Sequence, residues 1–94
     1  MDVAQEYESL RDAHEAAKIR FIVTELDLAL TFCKIASSAD NDDLARRNMT
    51  NARKAYDSAT RFLAGATMAS QIRKDIDNKI ERLRSLLPDL GGAS

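Results

Sequence analysis

Three side chains have types suited to chemistry: His14, Glu25 and Cys33. Glu25 is the most unusual. Helical spacing places it among Phe21, Ile22, Ala29, Phe32 and Ala36, on an apolar arc. A buried carboxylate needs a cation or a hydrogen-bond donor, or its pKa rises. Lys18 on the same face is one candidate partner, and an arginine or Asn48 from the next helix is another. A satisfied structural pair that sets helix register is the preferred reading. The competing reading is a small-molecule-binding or catalytic bundle built around Glu25. Asn48 lies inside its own helix's apolar stripe and is read as a register-setting polar contact.

His14 and Cys33 carry less. "HEAAK" has a histidine with Lys18 four residues on, and a phosphotransfer histidine in a helical bundle has a related look. That motif needs a basic residue at the third position followed by glycine; Ala17 and Lys18 stand there instead, so it fails. Cys33 is the only cysteine, which excludes an intramolecular disulfide and a thiol-based zinc site. It lies on an apolar face, where a core thiol is expected rather than a nucleophile. One histidine cannot supply the paired Glu-x-x-His ligands of a di-iron bundle. No glycine-rich phosphate loop is present. No catalytic residue, cofactor or metal site is predicted.

The elements that hold these residues read as three helices. Charged residues make up 31% of the 94, with three Gly and one Pro, a composition with few helix breakers. An all-α, antiparallel three-helix bundle with a long first helix is predicted, over about 3–37, 41–64 and 69–87. Residues 1–87 form one domain, and 88–94 are expected to be a disordered tail.

Along the first helix, Val3, Tyr7, Leu10, His14, Ala17, Phe21, Leu28, Phe32 and Ile35 lie on one stripe, with Thr24 and Thr31 at the remaining heptad positions. From Ile19 onward Ile22, Val23, Leu26, Ala29, Leu30, Cys33 and Ala36 widen the apolar arc. A helix this apolar must be covered from two sides. "SSADNDD" ends it, and Asp40 or Asn41 can cap the second helix. There Ala52, Ala55 and Ala59 make a small-residue seam that permits close approach. Gly65 is expected to close that helix in a left-handed conformation, Thr67 or Ser70 to cap the third, and Pro88 to stop it.

The second helix, at ~24 residues and ~1.5 Å per residue, spans about 36 Å and covers the first only back to about residue 13. Val3, Tyr7, Leu10 and His14 then overhang with an apolar stripe on them. Such stripes find partners, and a homodimer in which the overhang packs on the other subunit is the expectation.

Charge is asymmetric. Residues 1–43 carry 4 Lys/Arg against 10 Asp/Glu, and residues 44–94 carry 10 against 5. The two segments are suited to lie against each other. Arg46, Arg47, Arg53, Lys54 and Arg61 share a face of the second helix and raise nucleic-acid binding as a further alternative. Asp42, Asp43 and Asp57 sit at ion-pair spacing from them, and no aromatic residue is interleaved to stack bases, so a solvated face is preferred. No membrane span is present in the sequence, the start is unlike a secretory signal, and a cytoplasmic protein is expected.

Three resemblances add to this. "ELDLALTFCKIA" with "NARKAYDSATRFL" resembles a family of short bacterial helical proteins over about residues 25–64. It implies a helical hairpin core and brings no activity with it. Ala52, Tyr56 and Ala59 are similar to the second helix of a tetratricopeptide unit. The first-helix signature would fall on "ASSADNDD", a cap and loop, and Ala64 replaces the closing proline, so no repeat is implied. "IRKDIDNKIERLRSLL" resembles the third helix of microtubule-interacting-and-trafficking domains, with Arg73, Arg82 and Leu86 at matching spacing. The stretch between Tyr56 and Ile72 is shorter than in that family. That likeness implies a groove for a partner helix beside Ile76, Lys79, Ile80 and Leu83. The leading expectation is a small helical protein-interaction or scaffold module that self-associates.

Overall fold

A computed structural model describes residues 2–87. Its helices are α1 (Val3–Ser37), α2 (Asp42–Leu63) and α3 (Ser70–Leu86). Pro88 and the tail expected to be disordered lie outside the described residues. The helices run up, down, up: α1 and α2 are antiparallel, and α3 returns alongside α1. The fold is an all-α three-helix bundle with a long first helix.

Local chemistry sets most boundaries. The Asp2 carboxylate accepts the Ala4 N–H at 3.3 Å and caps α1. Ser38 ends it, its hydroxyl donating to the Lys34 carbonyl at 3.1 Å. Asn41 caps α2, its side-chain oxygen accepting the Leu44 N–H at 2.8 Å. Asp42 and Asp43 follow in the first turn, where the helix dipole favours carboxylates. The third cap departs from expectation. Ala69, not Thr67 or Ser70, stands at the N-cap of α3 and offers no side-chain acceptor. Docking rather than capping therefore holds that end of α3.

Gly65 also departs from expectation. The C-cap of α2 is Ala64, in right-handed helical geometry (φ −58°, ψ −30°). The turn closes through Gly65 N–H to Phe62 carbonyl (3.2 Å) and Ala66 N–H to Leu63 carbonyl (3.1 Å). Gly65 has no left-handed φ, and no atom lies within 4 Å of where a Cβ would sit. Its conformational freedom is therefore unused. Gly65→Ala is expected to stabilise the fold by about 0.4–1 kcal/mol through the unfolded chain, read as a higher denaturant midpoint with an unchanged m-value.

The core lies in the α1–α2 seam, with α3 laid along it. Ile22, Leu26, Ala29 and Cys33 from α1 meet Ala52, Ala55, Tyr56, Ala59 and Leu63 from α2. Ile76, Ile80 and Leu83 of α3, with Leu87, close the third side. Lys79 donates to Asp27 at 2.6 Å and ties α3 to α1. The Tyr56 oxygen near the Arg84 guanidinium favours its charged form and pushes the Arg84 pKa further up.

The α1 core face is thus Ile22–Leu26–Ala29–Cys33–Ala36. Most of the stripe of larger residues read from the sequence faces elsewhere: Phe21, Leu28 and Ile35 on it remain exposed, and Phe32 packs partly against the core. The molecule measures 59 × 26 × 17 Å with a radius of gyration of 16.4 Å. A compact chain of this length has a radius near 12–13 Å. The excess is the unpaired N-terminal part of α1.

Candidate interaction surface

The body of the bundle begins at a small polar clasp. Glu15 accepts the Thr67 backbone N–H at 3.2 Å through one oxygen and the Lys18 ammonium at 3.2 Å through the other. Lys18 also donates to the Gly65 carbonyl at 3.3 Å. One turn of α1 thereby holds the connection between α2 and α3. The Thr67 hydrogen bond first, and the Lys18 ammonium second, lower the Glu15 pKa.

The direction of that shift sets a pH dependence. A carboxylate with a lowered folded pKa contributes stability above its unfolded value, about 4.3. The contribution is lost as pH falls through the folded pKa. The protection factor of the Thr67 amide, its exchange rate corrected for the intrinsic pH dependence, is expected to fall as pH drops through the lowered Glu15 pKa, ahead of core amides such as Leu26. In Glu15→Gln the same amide exchanges faster at neutral pH and loses this acid response.

N-terminal to the clasp, α1 has no cover from the described residues. Val3, Tyr7 and Leu10 are 75%, 69% and 71% exposed. Tyr7, Leu10, Arg11 and His14 line a shallow concavity on this overhang. The apolar line then continues onto the body. Tyr7, His14, Phe21, Leu28 and Ile35 recur every seven residues and are all exposed. Phe62 of α2 joins it, with its ring centroid 4.6 Å from that of Phe21 and the planes tilted by 56°. A seven-residue apolar period along a helix is the period of a helix-pairing seam.

The polar candidates fall outside this line or at its edge. Glu25 is half-buried, not sealed in the core. It lines an open groove between α1 and α2 with Leu28, Phe32, Asn51, Lys54, Ala55 and Ser58. Lys18 belongs to the Glu15 clasp. Asn48 is buried but donates to the Leu44 carbonyl of its own helix at 2.9 Å. Two of the partners considered for Glu25 are thus used elsewhere: Lys18 bonds Glu15 and Gly65, and Asn48 bonds Leu44. α2 approaches α1 through its alanines and meets Glu25 only at the seam's edge, where solvent reaches it.

The residues expected to line a groove beside α3 are turned to other uses. Ile76, Ile80 and Leu83 are core residues, and Lys79 is committed to Asp27. These side chains are used within the chain and offer no docking surface to a partner helix. Leu30, Thr31, Cys33, Lys34, Ser37, Arg82 and Leu86 line a groove of about 430 Å³ between α1 and α3. Burial raises the Cys33 pKa and keeps the thiol protonated at neutral pH, which is wrong for a nucleophile.

On the basic side of α2, Arg46 lies 3.4 Å from Asp43, both exposed. Among the described residues no three His, Cys, Asp or Glu side chains converge on a metal-sized site. No described helix is long and apolar enough to cross a membrane.

No protein-family model, curated protein or solved structure matches the chain. Its function is therefore argued from the surface itself. The feature that local sequence patterns miss is the Glu15 clasp. Its signal is a carboxylate and a lysine three residues apart beside Ile19 and Ile22, but their partners lie about fifty residues away.

Proposed function

We propose that the protein is a small helical interaction or scaffold module that self-associates through the N-terminal part of α1. The observation that carries this reading is the overhang. Val3, Tyr7 and Leu10 stand on a regular, capped helix and are more than two-thirds exposed. An isolated helical segment of about twelve residues is marginal in water. A continuous helix bearing an ordered apolar stripe is the form expected when a partner covers it. A two-fold homodimer is the simplest solution.

Glu25 supports the enzyme or small-molecule alternative poorly, because its groove is open and shallow rather than a convergent polar pocket. A cytoplasmic setting belongs to the same proposal, supported by the single buried thiol. Light scattering of the intact chain at high micromolar concentration is expected to give the mass of two copies. A mass of one copy under those conditions removes the proposal.

A further inference from the structure

The stripe on α1 carries more information than the existence of a partner. The geometry points to a second copy laid antiparallel along the whole of α1, in a flush register in which Val3 of one copy faces Ile35 of the other. This rests on the self-association proposed above and adds its orientation and register.

The packing argument comes from residue sizes. The stripe has two lines. One is Tyr7, His14, Phe21, Leu28 and Ile35, all large. The other is Val3, Leu10, Ala17, Thr24 and Thr31, which becomes small toward the C-terminus. A parallel pair puts each line against itself. It would stack Phe21 on Phe21 and His14 on His14, and leave Ala17, Thr24 and Thr31 facing their own small copies. Layers alternately too wide and too narrow pack poorly. An antiparallel pair puts one line against the other.

In the flush register the facing pairs are Val3 with Ile35, Tyr7 with Thr31, Leu10 with Leu28, His14 with Thr24, and Ala17 with Phe21. Most layers then hold one large and one smaller residue. Shifting by a heptad leaves Ile35 or Val3 without a facing residue. α1 runs over 35 residues, so the flush pair is also the one with its helix ends level.

Charge agrees. Residues 2–14 carry four carboxylates and one arginine, −3, leaving +2 of the overall −1 for residues 15–94. A parallel pair sets two acidic overhangs side by side. The antiparallel pair sends the two overhangs to opposite ends and lays each along residues 24–36 of the other copy, which carry Glu25, Asp27 and Lys34, a net −1 in place of the −3 of a second overhang. Flanking the seam, Glu6 then lies near Lys34 of the second copy, and Arg11 near Glu25. These flanking positions set orientation in helix pairs. One like-charged contact remains, Arg20 with its own copy at the two-fold axis, at an exposed position where it costs little. Lys18, also near the axis, is turned into its own clasp.

The area is sufficient. Val3, Tyr7, Leu10, Phe21, Leu28 and Ile35 together present on the order of 600–700 Å² per copy. A standard interface buries about 800 Å² per partner, and the small and charged flanking residues supply the difference.

The test is cross-linking with position-resolved readout. The variant carries Leu10→Cys and Leu28→Cys with Cys33→Ala; residues 10 and 28 lie about 27 Å apart on one helix, so no bond forms within a chain. Mild oxidation is expected to give a covalent dimer whose digest contains the peptide of residue 10 joined to that of residue 28. Peptides joining 10 to 10 and 28 to 28 mark a parallel pair and overturn the inference while self-association stands. A dimer by light scattering with no cross-link at either pair overturns the register in the same way. A monomer removes both proposals.

Charge substitution gives an independent readout that does not disturb the seam. Glu6→Lys is expected to weaken association several-fold, and adding Lys34→Glu to restore it. Restoration by Arg11→Glu instead indicates the parallel pair.

Discussion

Leu10→Asp is expected to convert the proposed dimer to a monomer and to raise its dissociation constant a hundred-fold or more. Leu10 is 71% exposed in the single chain, so within the monomer the substitution touches nothing that holds the fold. In the proposed dimer it removes a leucine whose burial is worth about 1.5–3 kcal/mol. It also puts a carboxylate where Leu28 of the other copy offers no hydrogen bond. Two-fold symmetry makes each loss occur twice. A total loss of about 3 kcal/mol or more corresponds to the stated hundred-fold, at ~1.4 kcal/mol per decade.

Two measurements separate this from unfolding. Light scattering gives the mass of one copy at high micromolar concentration. Circular dichroism on the dilute monomer gives helicity and a midpoint close to those of the dilute parent, because exposed substitutions usually cost within ~0.5 kcal/mol. If Leu10→Asp stays dimeric with unchanged affinity, the overhang is not the contact.

What could be read in advance follows the range of the physics involved. The helix limits are local: Asp2, Asn41 and the polar run at 37–43 act on neighbouring residues. The overhang is a length argument and needs only helix rise. The choice of face is different. Two apolar lines run along α1 from Ile19, and bulk alone favours the line through Phe21, Leu28 and Ile35. α2 selected the other, because Ala52, Ala55 and Ala59 come close only to an equally low surface. Ala29, Cys33 and Ala36 provide one. The larger line was left outward. Glu25 follows from the same choice, since its position on the arc falls at the boundary of what α2 covers.

The α3 residues Ile76, Ile80 and Leu83 form a stripe too narrow to serve both the core and a partner. Sequence likeness to a docking helix could not show that the core takes all of it. The Glu15 clasp depends on where the chain returns after α2, a tertiary fact with no local trace beyond two charges three residues apart.

The close seam makes the second large prediction. Ala52 is fully buried where α2 faces α1, within the line of small residues. Ala52→Leu adds three carbons where two backbones approach closely. The added volume can be taken up only by pushing α2 away from Ile22, Leu26 and Ala29. Overpacking of this kind costs about 1–3 kcal/mol, and sometimes more. The upper end is expected here because helix backbones, not flexible side chains, must move.

For a domain of this size the loss corresponds to a fall in melting temperature of roughly 4–8 °C per kcal/mol. Thr50→Leu, two residues away on the exposed side, adds comparable apolar bulk outside the seam and is expected to leave the midpoint nearly unchanged. Thermal melts of Leu10→Asp with and without Ala52→Leu place the effect inside the monomer. An Ala52→Leu protein as stable as its Thr50→Leu counterpart would show that α1 and α2 lie further apart than an alanine seam requires. The reason given for the outward turn of the larger stripe would then fall with it.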